Sequence, residues 1–130
     1  MKFSLAIYAA PYSSEGSSTA YRFAQTALAQ GHDIYRLFFY SDGVHNASSL
    51  AAPPQDELQL PEHWQQLINT HDIDAVVCVA SALRRGILNT EEAQRYDKST
   101  SNMLEGFDIS GLGQLVDAAV HSDQVITFGP

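Results

Sequence analysis

The chain carries a single cysteine, Cys78, at the exit of the apolar run Ile73-Asp74-Ala75-Val76-Val77-Cys78-Val79, and two arginines, Arg84 and Arg85, follow it. If a strand ends near Cys78, the sulfur faces the start of the next helix, where free N–H groups and the helix dipole favour a thiolate. Either arginine is close enough in sequence to add positive potential. Set against this, a free cysteine is among the most buried residue types and commonly fills a core, and an arginine pair commonly marks a solvated helix face. A Cys–His hydrolase would need a base, and the histidines His32, His45, His63, His71 and His121 are scattered along the chain. Only His45 falls on a loop at the expected edge of the sheet, with no orienting third group beside it.

Other chemistries find less support. One cysteine and histidines without paired spacing do not make a metal site. Gly111-Leu112-Gly113 lacks the third glycine of a dinucleotide fingerprint and reads as a tight lead-in to a helix. No cofactor or metal is therefore expected. A sulfenic acid at Cys78 would have no resolving thiol within its own chain. A single activated cysteine without base or cofactor suits a carrier, because attack on a persulfide needs chiefly a thiolate and an accessible trajectory.

The elements that must position Cys78 follow from hydrophobic periodicity. Phe3, Leu5 and Ile7 alternate as in a strand. Ala20, Phe23, Ala24, Ala27 and Leu28 recur at helical spacing after a cap at Ser17 or Ser18, with Gly31 just past the end. Residues 33–40 read as a buried strand ended by Ser41-Asp42-Gly43, and the stretch from Val44 to Leu60 reads as a long loop of the kind that usually binds something. Pro61 and Glu62 open a helix bearing Trp64, Leu67 and Ile68. After the central strand at 73–79, Ser81 is a candidate cap for a short helix, and Thr90-Glu91-Glu92 opens another. Phe107-Asp108-Ile109 is a brief strand with Ser110 as the cap of a helix marked by Leu112, Leu115, Val116, Ala119 and Val120. A final strand covers 123–128. This alternation predicts an α/β fold, a three-layer sandwich with a mostly parallel sheet of about five strands. The loops after Tyr8 and Tyr40 and the residue Cys78 then share the carboxyl edge of the sheet, where open α/β sheets place their ligands.

Composition bounds the rest. The 130 residues fit a single domain spanning 1–130, and the 45% hydrophobic fraction suffices for a core. A net charge of −8 argues against direct binding of a nucleic-acid backbone. No apolar run is long enough to span a bilayer, and Met1-Lys2 leads into a strand pattern rather than a secretion signal. A reducing, cytoplasmic location is the expectation.

Several blocks together resemble the DsrE/TusD sulfurtransferase subunits of the DsrE-like (DsrE/F/H) superfamily. They are Ala20-Tyr21-Arg22-Phe23-Ala24, the stretch from Phe38 to Ala47, Pro53-Pro54-Gln55-Asp56-Glu57, the stretch from Val77 to Gly86, and Ile109-Ser110-Gly111-Leu112-Gly113-Gln114-Leu115. The resemblance implies a sulfur relay in which Cys78 carries a persulfide received from an upstream TusA-like carrier and passes it to a TusE/DsrC-like acceptor. It also implies assembly with two homologous small subunits, TusB/TusC-like or DsrH/DsrF-like, in a heterohexamer. The end product would be 2-thiouridine at the tRNA wobble position, or, in the Dsr branch, cytoplasmic oxidation of stored sulfur. A mainly structural subunit of the same complex is the remaining alternative. The resemblance transfers the active cysteine to Cys78. Arg84, Arg85, Asp42, His45 and Asn46 lie in the matched blocks, and sheet topology makes them candidate supporting residues.

Overall fold

A computed structural model describes every residue from Met1 to Pro130. The strands are β1 (Lys2–Ile7), β2 (Asp33–Phe39), β3 (Asp74–Cys78), β4 (Phe107–Ser110) and β5 (Gln124–Phe128). The helices are α1 (Gly16–Ala29), α2 (Leu60–His71), α3 (Val79–Arg84), α4 (Thr90–Arg95) and α5 (Gly113–His121), with a 3-10 segment at Ser41–Ala47. All four strand pairings are parallel, and the order across the sheet is β4-β3-β2-β1-β5. The fold class expected from the alternation of elements is the one observed. No helix is long and apolar enough to cross a membrane.

Strand periodicity divides the core into two faces. Leu5, Ile7, Leu37, Phe39, Ala75, Val77 and Phe107 form one buried cluster with α1, α2 and Ala82 of α3. Phe38, Val76 and Cys78 form a second, smaller cluster on the opposite face, where Tyr40 and Leu115 of α5 pack against them. Parallel strands must be covered on both sides, and the second side is covered by α5 over β1, β2 and β5.

How α5 is held departs from what its sequence suggests. The apolar positions Leu112, just before it, and Val116 and Val120 within it point to solvent, at 59%, 65% and 71% exposure. Its inward side combines Leu115 and the buried Ala118 with polar anchors. Arg36 of β2, itself 8% exposed, donates to Asp74 at 2.6 and 2.8 Å, to Asp117 of α5 at 2.8 Å and to the Gln114 carbonyl at 2.8 Å. The Tyr35 hydroxyl also donates to Asp117, at 2.8 Å. Hydrogen bonds from Tyr35 and Arg36 hold the Asp117 carboxyl below the usual carboxylate range. A buried guanidinium requires charged partners, and here that requirement fixes which way the helix turns.

Four local readings are corrected by the structure. Neither Ser17 nor Ser18 caps α1, which begins at Gly16 after Glu15 and holds both serines inside it. Ser81 does not cap α3: Cys78 itself is the N-cap residue, and Ser81 lies inside the helix, its hydroxyl accepting from the Ser41 N–H at 2.8 Å. Ser110 remains in β4, so that Leu112 occupies the position before α5. The loop expected from Val44 to Leu60 begins with the 3-10 segment, in which Gly43 approaches β1 so closely that an added Cβ would collide with the Ile7 carbonyl oxygen.

Candidate functional site

Cys78 is the last residue of β3 and the N-cap of α3, so its sulfur stands where the strand gives way to the helix, at the carboxyl edge of the sheet. Its side chain is on the α5 face, packed with Phe38, Val76, Tyr40 and Leu115, and the residue is 5% exposed. The surroundings are therefore apolar on the sheet side, with the unbonded N–H groups of the first turn of α3 beyond.

The winding of the sheet reverses between β1 and β5, the place where open α/β sheets commonly bind ligands. Here the chain itself fills that crevice. A Cβ on Gly16 would collide with the Gly129 carbonyl oxygen, and one on Gly129 would collide with the Tyr8 ring and hydroxyl. Cys78 lies away from this crevice, at the end of β3.

The expected supporting residues separate into distinct places. Arg85 is a clamp: its Nε donates to Asp42 Oδ1 at 2.8 Å, and its remaining nitrogens reach the Ser81 carbonyl at 3.2 Å and Ser41 Oγ at 3.5 Å. With the Ser41–Ser81 bond, it ties the 3-10 segment after β2 to α3 after β3, fixing the helix that starts at Cys78. Asn46 is fully buried, accepts from Ser17 Oγ at 2.5 Å and donates to the carbonyls of Ala9 at 3.2 Å and Gly43 at 2.9 Å. It joins the loop after β1, the first turn of α1 and the 3-10 segment. His45 lines a separate cavity of about 380 Å³ with Pro11, Tyr12 and Leu50, and makes no hydrogen bond to Cys78. Arg84 is at the far end of α3 and lines another cavity.

The geometry thus supplies a thiol at a helix N-terminus, braced by Asp42, Arg85, Ser41 and Ser81, without an adjacent base. No cluster of three or more potential metal ligands is present. Ser81 and Ser41 are the members of this brace that sequence reasoning missed; as short polar residues beside strand ends they carry no distinctive signal.

The DsrE/DsrF-like family matches residues 1–128. The chain is 49% identical over 129 residues to the sulfurtransferase TusD homolog of Pseudomonas aeruginosa, covering 99% of this chain and 98% of that one. It is 48% identical over 129 residues to the DsrE protein of Allochromatium vinosum, with 99% of each chain covered. Identity to sulfurtransferase TusD of Erwinia tasmaniensis is 43% over 128 residues, 98% of this chain and all of the other. Among solved structures, the ychN protein of E. coli shares the fold, with a TM-score of 0.75 at 24% identity over 98% of this chain and 99% of that one.

Proposed function

Because the chain belongs to the DsrE/DsrF-like family and its full-length relatives are sulfurtransferases, we propose that it is a sulfur-relay subunit whose Cys78 carries the sulfur as a persulfide. In loading, the Cys78 thiolate attacks the terminal sulfur of a persulfide on an upstream TusA-like carrier. The new S–S bond forms as the old one breaks, and the donor leaves as a thiolate. In unloading, a thiolate of a TusE/DsrC-like acceptor attacks the terminal sulfur on Cys78, and Cys78 leaves as thiolate. Neither step requires an external oxidant, reductant or metal. The observation that carries this reading is the place of Cys78, between the end of β3 and the start of α3. At 5% exposure Cys78 is largely covered, which suits a thiol that must hold a labile sulfur away from water.

Among the fates of the sulfur, we favour 2-thiouridine in tRNA, in keeping with the TusD names of two of the relatives, in a cytoplasmic relay that does not itself touch the RNA. A strain lacking this protein is expected to lose 2-thiouridine from its tRNA hydrolysates. Wild-type levels there would assign the chain instead to the sulfur-oxidation branch represented by DsrE.

A relay subunit of this kind would assemble with two homologous small subunits in a heterohexamer. The exposed stripe Leu112, Val116 and Val120 along α5, beside the edge strand β5, supports this assembly, since contiguous apolar surface on a small acidic protein is otherwise a liability. Val116→Asp with Val120→Asp is expected to release the subunit from the complex in size-exclusion chromatography while leaving its circular dichroism unchanged. Retention in the full complex would remove α5 from the interface.

A further inference from the structure

Seven basic side chains serve this acidic chain, and five of them have intramolecular partners. Lys2 lies over the Tyr35 ring, Arg22 reaches Thr19, Arg36 holds Asp74 and Asp117, Arg85 holds Asp42, and Arg95 holds Glu92. The remaining two, Arg84 and Lys98, have no ion pair, hydrogen bond or aromatic partner, and both line the same cavity of about 440 Å³. Its other walls are Leu83, Gly86, Leu88 and Tyr96, the last 51% exposed. A second cavity of about 310 Å³ continues it, sharing Gly86, Leu88 and Lys98 and adding Leu50, which is 68% exposed. The result is an apolar groove flanked by two uncompensated cations.

This surface is joined to the reactive thiol by α3. Cys78 caps the N-terminal end of that six-residue helix and Arg84 ends it, a separation of about 9 Å along the axis at the usual rise per residue. We propose that the groove docks an acidic segment with apolar side chains, belonging to the carrier protein that exchanges sulfur with Cys78. The proposal rests on the persulfide reading given above. Charge complementarity selects the occupant: a net charge of −8 repels an acidic partner everywhere else, so one cationic groove both attracts it and fixes where it lands. Leu83, Leu88, Leu50 and Tyr96 supply the apolar contact that a purely electrostatic encounter lacks.

The probe is a fluorescein-labelled peptide of alternating leucine and glutamate, compared with the same peptide carrying glutamine for glutamate. The glutamate peptide is expected to bind the wild-type protein and to lose about tenfold or more in affinity in R84E/K98E. Binding to wild type is also expected to weaken as salt rises. Equal affinity for the glutamine peptide, an unchanged affinity in R84E/K98E, or no binding by wild type would each overturn the proposal. The salt series and the glutamine peptide use only wild-type protein, so the test does not depend on the folding of the variant. Loading of wild-type Cys78 from inorganic polysulfide, measured in parallel by mass spectrometry, tests the carrier reading separately. Sulfur uptake without peptide binding rejects the groove alone, and peptide binding without sulfur uptake rejects the carrier as its occupant.

Discussion

Replacing Cys78 by serine is expected to abolish sulfur uptake while leaving the fold in place. After incubation with a persulfide donor, wild-type protein should gain the mass of one sulfur atom, removable by a thiol reductant, and Cys78→Ser should gain none. The chain has no other cysteine, so no neighbouring thiol can take over and the adduct needs no mapping. A serine hydroxyl is a poor nucleophile at neutral pH and forms no S–S bond, which makes the loss complete rather than partial. The structural cost is small by comparison. Cys78 is packed with Phe38, Val76, Tyr40 and Leu115, and setting a hydroxyl there costs about 1 kcal/mol, against a typical domain stability of about 5–15 kcal/mol. A reducible sulfur adduct on Cys78→Ser would refute the persulfide assignment. Uptake by a partner subunit with none on Cys78 in wild type would favour a scaffold role for this chain.

The second large effect concerns the ion pairs that hold α5 to the sheet. Asp74→Asn combined with Asp117→Asn is expected to destabilise the protein and lower its melting temperature by several degrees. The Arg36 guanidinium, 8% exposed, would keep its charge but lose both carboxylates, retaining the Gln114 carbonyl. Burial alone disfavours that charge, and the hydrogen bonds to Asp74 and Asp117 more than offset it, raising the Arg36 pKa. Because Leu115 of α5 packs against the cluster that contains Cys78, loosening α5 should also speed alkylation of Cys78 by iodoacetamide. The wild-type protein should show a related pH dependence. Asp117 titrates below its ordinary value in the folded state. Its contribution is therefore complete above the ordinary carboxylate pKa and is lost as pH falls through the lowered one. The double variant should lack this acid loss, since the amide introduced at position 117 does not titrate. An unchanged melting temperature and alkylation rate in the double variant would show that apolar contacts, not the Arg36 network, hold α5.

The candidate site was legible to different depths. Cys78 at a strand end follows from a short apolar run and the polar residues after it, both local signals. The roles of its neighbours do not. Asp42 and Arg85 are separated by 43 residues and meet only because β2 and β3 are adjacent in the sheet. Asn46 stands in a family-like block beside His45, yet it serves as a buried brace between three segments, and His45 faces a different cavity. Arg84 and Arg85 are consecutive in sequence but part company at the end of α3, one to the groove with Lys98 and the other to Asp42.

By itself the sequence determined the order of elements, the parallel α/β architecture and the position of the thiol at the carboxyl edge, because helix and strand periods are local properties that successive side chains impose on the backbone. The tertiary structure decided which face of α5 turns inward. Read alone, Leu112, Leu115, Val116, Ala119 and Val120 mark an apolar face to bury, yet of these only Leu115 packs inward. In the fold, Arg36 lies beneath it and draws Asp117, 81 residues away, to the sheet. A buried guanidinium must keep its carboxylate partners, so the face of α5 that bears Asp117 turns to the sheet, and Leu112, Val116 and Val120 turn outward.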